Sequence, residues 1–333
     1  MASRRVFLKT LTAAGAAAMV PHALSGQERV TLNARGGAID VHHHFLPPGV
    51  SATTRPWTLE RSLEQMETFG IAVSIMSVQQ NGDLYYDGTE KGRAAVRRSN
   101  DFGAKLMQDH PTTFGFMGGV PLPDVDGALE EIAYLFDTLK ADALAIHTND
   151  NQGRWPGDPH FEPMWQELNR RSAIVYVHPM APLCCRALKY GPAASMLEFD
   201  FDVTRAVASI VVNGVMFRHP NIRFITVHSG GTVPMLAGRM KDRIPPGSEK
   251  YLPNGLYAEL RKWYYDIAHA SFPFPMAAMR ALMPDSQILF GTDFAPEPME
   301  STVNELPGLT LSTEFEQMLL RGNAERLFPR FKI

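Results

Sequence analysis

The sequence predicts an α/β chain folded as a single (β/α)8 barrel of the TIM type, and three observations carry that prediction. After residue 30, short apolar runs of strand length alternate eight times with helical patterns. Several of those runs end in a histidine or an aspartate, and the C-terminal strand ends are where barrels of this kind build their active sites. The turn after the first strand is Phe45-Leu46-Pro47-Pro48. It lacks the glycines with which a doubly wound open sheet, the alternative architecture, cradles a phosphate. The 333 residues, 45% hydrophobic and 20% charged, supply ample material for one core. A net charge of −3 gives no case for nucleic acid or an anionic membrane as partner. The only two cysteines, Cys184 and Cys185, are adjacent, which argues against a disulfide framework.

Residues 1–30 differ in kind. Ser3-Arg4-Arg5-Val6-Phe7-Leu8-Lys9 is a basic head, and residues 11–20 are small and apolar over a length too short to span a bilayer. The Arg4-Arg5 pair followed by Phe7-Leu8-Lys9 resembles a bacterial twin-arginine export signal. Cleavage is expected near Ala23-Leu24-Ser25, and the twin-arginine export machinery would deliver the protein to the periplasm. Residues 31–333 are left for the barrel.

Taken in order, residues 38–45 form the first strand. Residues 59–69 form a helix with Leu59, Leu63, Met66 and Phe69 on one stripe, stopped by Gly70. The apolar run 72–78 is a buried strand. A helix over 90–108 opens at Thr89, and residues 113–120 form the third strand. Residues 127–140 are helical, with Leu129, Ile132, Leu135, Phe136 and Leu139 at helical spacing, and lead to a strand over 143–147. Asp158-Pro159 opens a helix to 171, and strand five covers 174–177. Residues 183–203 read as an irregular insertion before a helix over 204–217. Strand six (223–227), a helix (233–240), strands seven (263–268) and eight (287–290) and a closing helix (313–328) complete the pattern.

Alternate side chains of a strand share a face. His42 and His44, with Asp40 beneath them, therefore lie on one side of the first strand, and His43 on the other. Two imidazoles about 7 Å apart along one face can grip a metal ion; surface histidines or a tag are the bland alternative. Strand five ends in His178, strand six in His228 and strand eight in Asp293, each after an apolar run. A lone strand-end histidine is usually structural, but a barrel brings all five positions to one end as a candidate metal site.

At this point the chain resembles the amidohydrolase superfamily, and within it the branch of aminocarboxymuconate-semialdehyde decarboxylase. The motifs are Asp40-Val41-His42-His43-His44, Gly157-Asp158-Pro159-x-Phe161 leading to Val177-His178-Pro179, Val227-His228-Ser229-Gly230-Gly231, Gly291-Thr292-Asp293, and the closing Gly322-Asn323-Ala324-x-Arg326-Leu327-Phe328. Residues 39–48 and 133–140 look closest to 6-methylsalicylate decarboxylases. The resemblance implies that His42, His44, His178 and Asp293 hold one divalent ion, zinc or alternatively manganese. It also implies that His228 hydrogen-bonds a metal-bound water without ligating. Two-metal members of the superfamily bridge their ions with a lysine or glutamate from strand four; here that strand ends Leu144-Ala145-Ile146-His147-Thr148, which argues for a single ion. His147 is given an outer or loop role, and Asp40 reads as a buried partner orienting a ligand histidine. Arg239 stands where related decarboxylases place an arginine that meets the substrate carboxylate from a neighbouring subunit, which implies a homodimer; an exposed helix arginine is the alternative. Cys184 and Cys185 receive no role.

The implied reaction is non-oxidative decarboxylation of a small aromatic or unsaturated carboxylic acid, of the 6-methylsalicylate or carboxymuconate-semialdehyde kind. The carbon that loses CO2 needs a proton, and the developing charge needs a sink, which a metal provides. Asp293 is the proton donor in the salicylate version, and a metal-bound water governed by His228 in the muconate version. The same residues suit hydrolysis of a lactone, ester or amide. A third reading, a non-catalytic metal- or ligand-binding protein, is weakened by the presence of His228 beside the four ligands.

Overall fold

A computed structural model describes residues 30–50, 56–78, 85–185 and 194–333. The export signal expected over residues 1–30 falls, but for residue 30, outside the described residues. Eight parallel strands follow one another around a single sheet in chain order: β1 (Ala38–Phe45), β2 (Ile71–Val78), β3 (Phe114–Gly119), β4 (Ala143–His147), β5 (Ile174–His178), β6 (Arg223–Thr226), β7 (Tyr264–Asp266) and β8 (Ile288–Leu289). The sheet closes on itself where β8 returns to β1. Val41 N donates to Phe290 O at 3.0 Å, Asp293 N to His42 O at 2.8 Å, and His44 N to Phe294 O. Buried Ile39, Val41, Val73, Ile75, Tyr176 and Leu289 pack in one cluster within the core, the burial that drives closure.

The helices are α1 (Leu59–Phe69), α2 (Glu90–Asp109), α3 (Val125–Ala133), α4 (Glu162–Arg170), α5 (Ala194–Val212), α6 (Val233–Lys241) and α7 (Pro273–Leu282), with shorter pieces between and after them. Their starts follow capping chemistry. Thr58, Thr89 and Asp124 each accept a hydrogen bond from a first-turn amide, and Gly70 ends α1 in the left-handed conformation. In α2, a Cβ at Gly103 would lie 2.3 Å from Phe116, so glycine lets that helix press onto the barrel wall. No helix among the described residues is long and apolar enough to cross a membrane.

The structure departs from the sequence expectation in four places. Strands seven and eight are three and two residues long. The chain bends out of the ladder after Asp266, and Phe290 N turns to Leu319 O at 3.1 Å. The helix expected over 127–140 begins at Val125 and widens into a π-turn over Tyr134–Leu139. The closing helix likewise widens over Met318–Gly322, where the Leu319 carbonyl is drawn to Phe290. The last difference matters most for the site. Part of the expected irregular insertion is the first half of α5, which starts at Ala194 and stops before Gly214, a residue with φ +75° whose Cβ would meet Tyr251 at 2.5 Å. Met196, Leu197 and Phe201 in those first turns are exposed, so no buried stripe announces the helix.

Candidate metal centre

His42, His44, His178 and Asp293 offer four ligand atoms that all lie within 4.8 Å of one another. They come from the ends of β1 and β5 and from the turn after β8. His42 Nε2 and His44 Nε2 are 3.1 Å apart, and Asp293 Oδ1 lies 3.2 and 3.0 Å from them. His178 stands edge-on to both rings, with centroids 5.3 and 4.7 Å away.

The opposite ring nitrogens explain which atoms are free. His42 Nδ1 is 2.9 Å from Asp266 Oδ2, and His178 Nδ1 is 3.1 Å from Pro179 O. Carboxylates and carbonyls only accept, so both Nδ1 atoms carry the hydrogen and leave an Nε2 lone pair facing inward. His44 Nδ1 is held 3.1 Å from Ser77 Oγ. His178 Nε2 and Asp293 Oδ1 are buried without a hydrogen-bond partner. Three imidazole nitrogens and one carboxylate oxygen converging in this way fit the donor set of one divalent cation.

The electrostatics agree. Burial opposes charge on His42, but the Asp293 and Asp266 carboxylates outweigh it and raise its pKa to about 10, so a proton competes with a metal for that ring. Burial, with His44 and His42 alongside, keeps His178 well below the ordinary imidazole value. Burial would raise Asp293, but His42, His228 and His269 around it hold its carboxyl well below the usual range.

His228 lies outside the four-residue group and forms a second trio with His269 and Asp293. It sits in the turn after β6 with φ +52°. Its ring stacks on His42 at 5.4 Å and 15°, and its Nε2, 3.5 Å from Asp293 Oδ2, has no hydrogen-bond partner. Burial pulls its pKa down, but Asp200 and Asp293 more than compensate and raise it to about 9.

Asp40 is buried, but it does not orient a ligand ring. It accepts from His42 N, Thr292 N and Thr292 Oγ1 at 3.0, 3.0 and 2.6 Å, and so bolts the backbone of β1 to the turn after β8. One extra residue on β1 between Asp40 and His43 breaks the strict alternation that had placed Asp40 beneath His42. The ring-orienting carboxylate is Asp266 at the end of β7. His43 faces away, against Ser62, Phe114 and Phe294. His147 is buried edge-on to Tyr86, and burial, with His44 nearby, lowers its pKa to about 3. Arg239 is exposed on α6, has no ion pair or hydrogen bond among the described residues, and does not join the cluster of its own chain. Cys184 and Cys185 are free thiols with sulfurs 3.2 Å apart.

Sequence reasoning missed Asp266, His269 and Asp200. Asp266 obeys the rule that found the others, a polar residue at a strand end, but the strand was read as continuing through it. His269, three residues on, places Nε2 3.0 Å from Asp293 Oδ2. Asp200, on the unrecognised half of α5, lies 3.1 Å from His228 Nδ1.

The model of the amidohydrolase family matches residues 39–330. A 6-methylsalicylic acid decarboxylase of Penicillium expansum is 30% identical over 313 residues, covering 88% of this chain and 97% of its own. The crystal structure of an amidohydrolase II protein superposes with a TM-score of 0.78 at 25% identity, covering 88% and 99% of the two chains. A dihydroxybenzoic acid decarboxylase from Polaromonas sp. JS666, with bound manganese and 2-nitroresorcinol as inhibitor, superposes at 0.76 with 18% identity, covering 89% and 98%.

Proposed function

The chain belongs to the amidohydrolase family, and from that premise we propose that it is a metal-dependent decarboxylase of a small hydroxybenzoate of the 6-methylsalicylate class. One observation carries the reading: Asp293 turns Oδ1 toward the ligand set and Oδ2 toward His228 and His269. A metal-holding group and a proton-handling group therefore share one carboxylate.

The reaction replaces CO2 by a proton on a ring carbon, ArCO2− + H+ → ArH + CO2. His42, His44, His178 and Asp293 would hold a divalent ion, which would supply Lewis acidity toward the substrate carboxylate. The chain supplies the rest. Asp266, Ser77 and Pro179 fix the ligand rings. Asp293 Oδ2, ionised at rest, would relay to the carbon a proton taken from the protonated His228 ring, whose Nε2 lies 3.5 Å away. Protonation breaks aromaticity, and departure of CO2 restores it. Zinc suits a His3Asp set; manganese is the ion in the dihydroxybenzoic acid decarboxylase.

The test is incubation of metal-loaded protein with 6-methylsalicylate and related hydroxybenzoates, scored for CO2 and phenol in equal amounts. Hydrolysis of lactones or esters with no CO2 from any acid would overturn the reading. His228→Asn should retain the metal and lose turnover.

Two further proposals belong here. Arg4-Arg5 and the apolar stretch behind it support a role for residues 1–30 as a twin-arginine leader that carries the enzyme to the periplasm. Retention in the cytoplasm of a reporter fused to this segment would argue against it. Exposed Met235 (76%) on α6 and Phe274 (82%) on α7, on the helix of Arg239 and on one packed against it, support a homodimer in which Arg239 meets the substrate carboxylate bound to the partner. A monomeric mass in solution would remove that role.

A further inference from the structure

His228 serves the reaction only if Nε2, and not Nδ1, faces Asp293. An imidazole on a turn can rotate or change tautomer, so something must hold it. Its backbone is held by Asp266, whose Oδ1 accepts from His228 N at 2.9 Å. Asp266 cannot also hold the ring, because its other oxygen is engaged by His42 Nδ1.

The ring is met from outside the strand ends. Asp200 Oδ1, on α5, lies 3.1 Å from His228 Nδ1. A carboxylate only accepts, so Nδ1 carries the hydrogen and Nε2 is the nitrogen turned to Asp293 Oδ2.

The placement of Asp200 is built into the fold. Two residues along the helix, the fully buried Asp202 accepts from Thr148 Oγ1, Asn149 Nδ2 and Trp155 Nε1 at 2.5, 2.7 and 2.9 Å. This pins α5 to the loop after β4. Thr204 Oγ1 is 2.8 Å from Asp200 O and accepts from Thr232 N at 2.8 Å. At Gly231, with φ +61°, a Cβ would lie 2.1 Å from Asp200 O. The turn that carries His228 thus ends in a glycine because the α5 backbone passes against it at Asp200. Helix and turn dock at the one point where carboxylate and imidazole meet.

We propose that Asp200 is the positioning residue for His228: it accepts Nδ1–H and so fixes Nε2 as the nitrogen that faces Asp293, acting from a helix that carries no metal ligand. Its effect on rate rests on the decarboxylase reading; its effect on the ring does not. The competing description is an exposed helix carboxylate that pairs with a histidine to no purpose. The Asp200 side chain is 42% exposed, and a pair so open to water adds little to stability, so the test separates positioning from folding.

Asp200→Asn and Asp200→Glu are compared with the parent in the full-length zinc-loaded protein. For Asp200→Asn, kcat should fall about 10- to 100-fold, the usual penalty for losing a partner of this kind. KM should change less than about twofold, and zinc content and melting temperature should hold. Asp200→Glu should recover part of kcat. In nitrogen-15 histidine spectra, assigned by the signal that His228→Asn removes, the parent should show a protonated Nδ1 and Asp200→Asn a changed ring pattern. An unchanged His228 pattern in Asp200→Asn overturns the proposal whatever happens to the rate. So does a rate loss that tracks loss of zinc or of folded protein. If the parent releases no CO2 from any substrate, the decarboxylase reading fails alone, and the ring spectra still decide the role of Asp200.

Discussion

Asp40→Ala should open the seam of the barrel, and Asp40→Asn should not. The side chain is fully buried. Oδ1 accepts from two amides, His42 N and Thr292 N, and Oδ2 from the Thr292 hydroxyl. Three backbone hydrogen bonds, from Val41 N, Asp293 N and His44 N, also cross this seam, and Asp40 adds its side-chain bonds where the two-residue β8 leaves the ladder short. Alanine leaves two buried N–H groups and a hydroxyl without an acceptor. At about 1–3 kcal/mol for each orphaned group, and with relaxation recovering part, the loss should be about 3–5 kcal/mol. Asparagine keeps an oxygen for the two amides, and its NH2 can donate to Thr292 Oγ1, so only one hydroxyl hydrogen is stranded, at about 1 kcal/mol. Urea denaturation of the metal-free protein, followed by circular dichroism and by tryptophan fluorescence, measures both values where the two probes coincide. The alanine variant should also bind zinc more weakly, because His42 and Asp293 lie on the two edges that Asp40 joins. A cost below about 1 kcal/mol for alanine, or an asparagine variant as weak as alanine, would refute the hydrogen-bond account.

Asp266→Asn removes one of the two carboxylates that raise His42 to about 10; in the metal-free protein the His42 ring resonances should titrate at lower pH than in the parent, and an unmoved titration would contradict the assignment. Zinc must displace the proton on His42, so below about pH 10 each ion bound should release about one proton, with affinity rising as pH rises; calorimetry in buffers of different ionisation enthalpy reads this directly, and no buffer dependence would count against it. His147 has a folded-state pKa of about 3 against an ordinary value of 6.5. As pH falls the unfolded chain takes up this proton first, so the stability it confers is full above 6.5 and is lost progressively toward pH 3. The loss at pH 5 is about 2 kcal/mol, and His147→Gln should show a shallower acid limb in denaturation midpoints, an equal slope being the adverse result.

Legibility from sequence followed the kind of signal each residue left. The first six strands and α1 to α4 announce themselves because burial on one face imposes a period that composition reveals. The candidate ligands were readable because each lies near or just beyond the end of such a run. What escaped was held by contacts remote in sequence. Strand seven was overdrawn because Trp263, Ile267 and Ala268 are buried and look like strand, although only Tyr264–Asp266 stay in the ladder. That concealed Asp266 as a strand end. The start of α5 shows large apolar residues to solvent, the reverse of the usual amphipathic cue, so Asp200 seemed to lie in a loop. The misplacement of Asp40 had a third cause. Period-two reasoning assumes an unbroken ladder, and a bulge after Asp40 is a property of the paired strands that one strand alone does not display.

Backbone conformation shows how so many groups reach one carboxylate. Four of the eight non-glycine residues with positive φ among the described residues are His228, Ser229, His269 and Asp293. Left-handed backbone is unfavourable for residues with a Cβ, though histidine and aspartate tolerate it better than most. Here it does a geometric task. All four lie just beyond the end of a strand, and the side chains of three of them, His228, His269 and Asp293, meet over the barrel mouth. Asp293 is locked in that pose by its own amide, which donates to His42 O at 2.8 Å, so a ligand histidine and the shared carboxylate are set by one hydrogen bond. The pose gives the two oxygens different neighbours, His42 and His44 for Oδ1, and His228 and His269 for Oδ2. The left-handed turn thus lets one carboxylate face the candidate ligand set with one oxygen and two further histidines with the other.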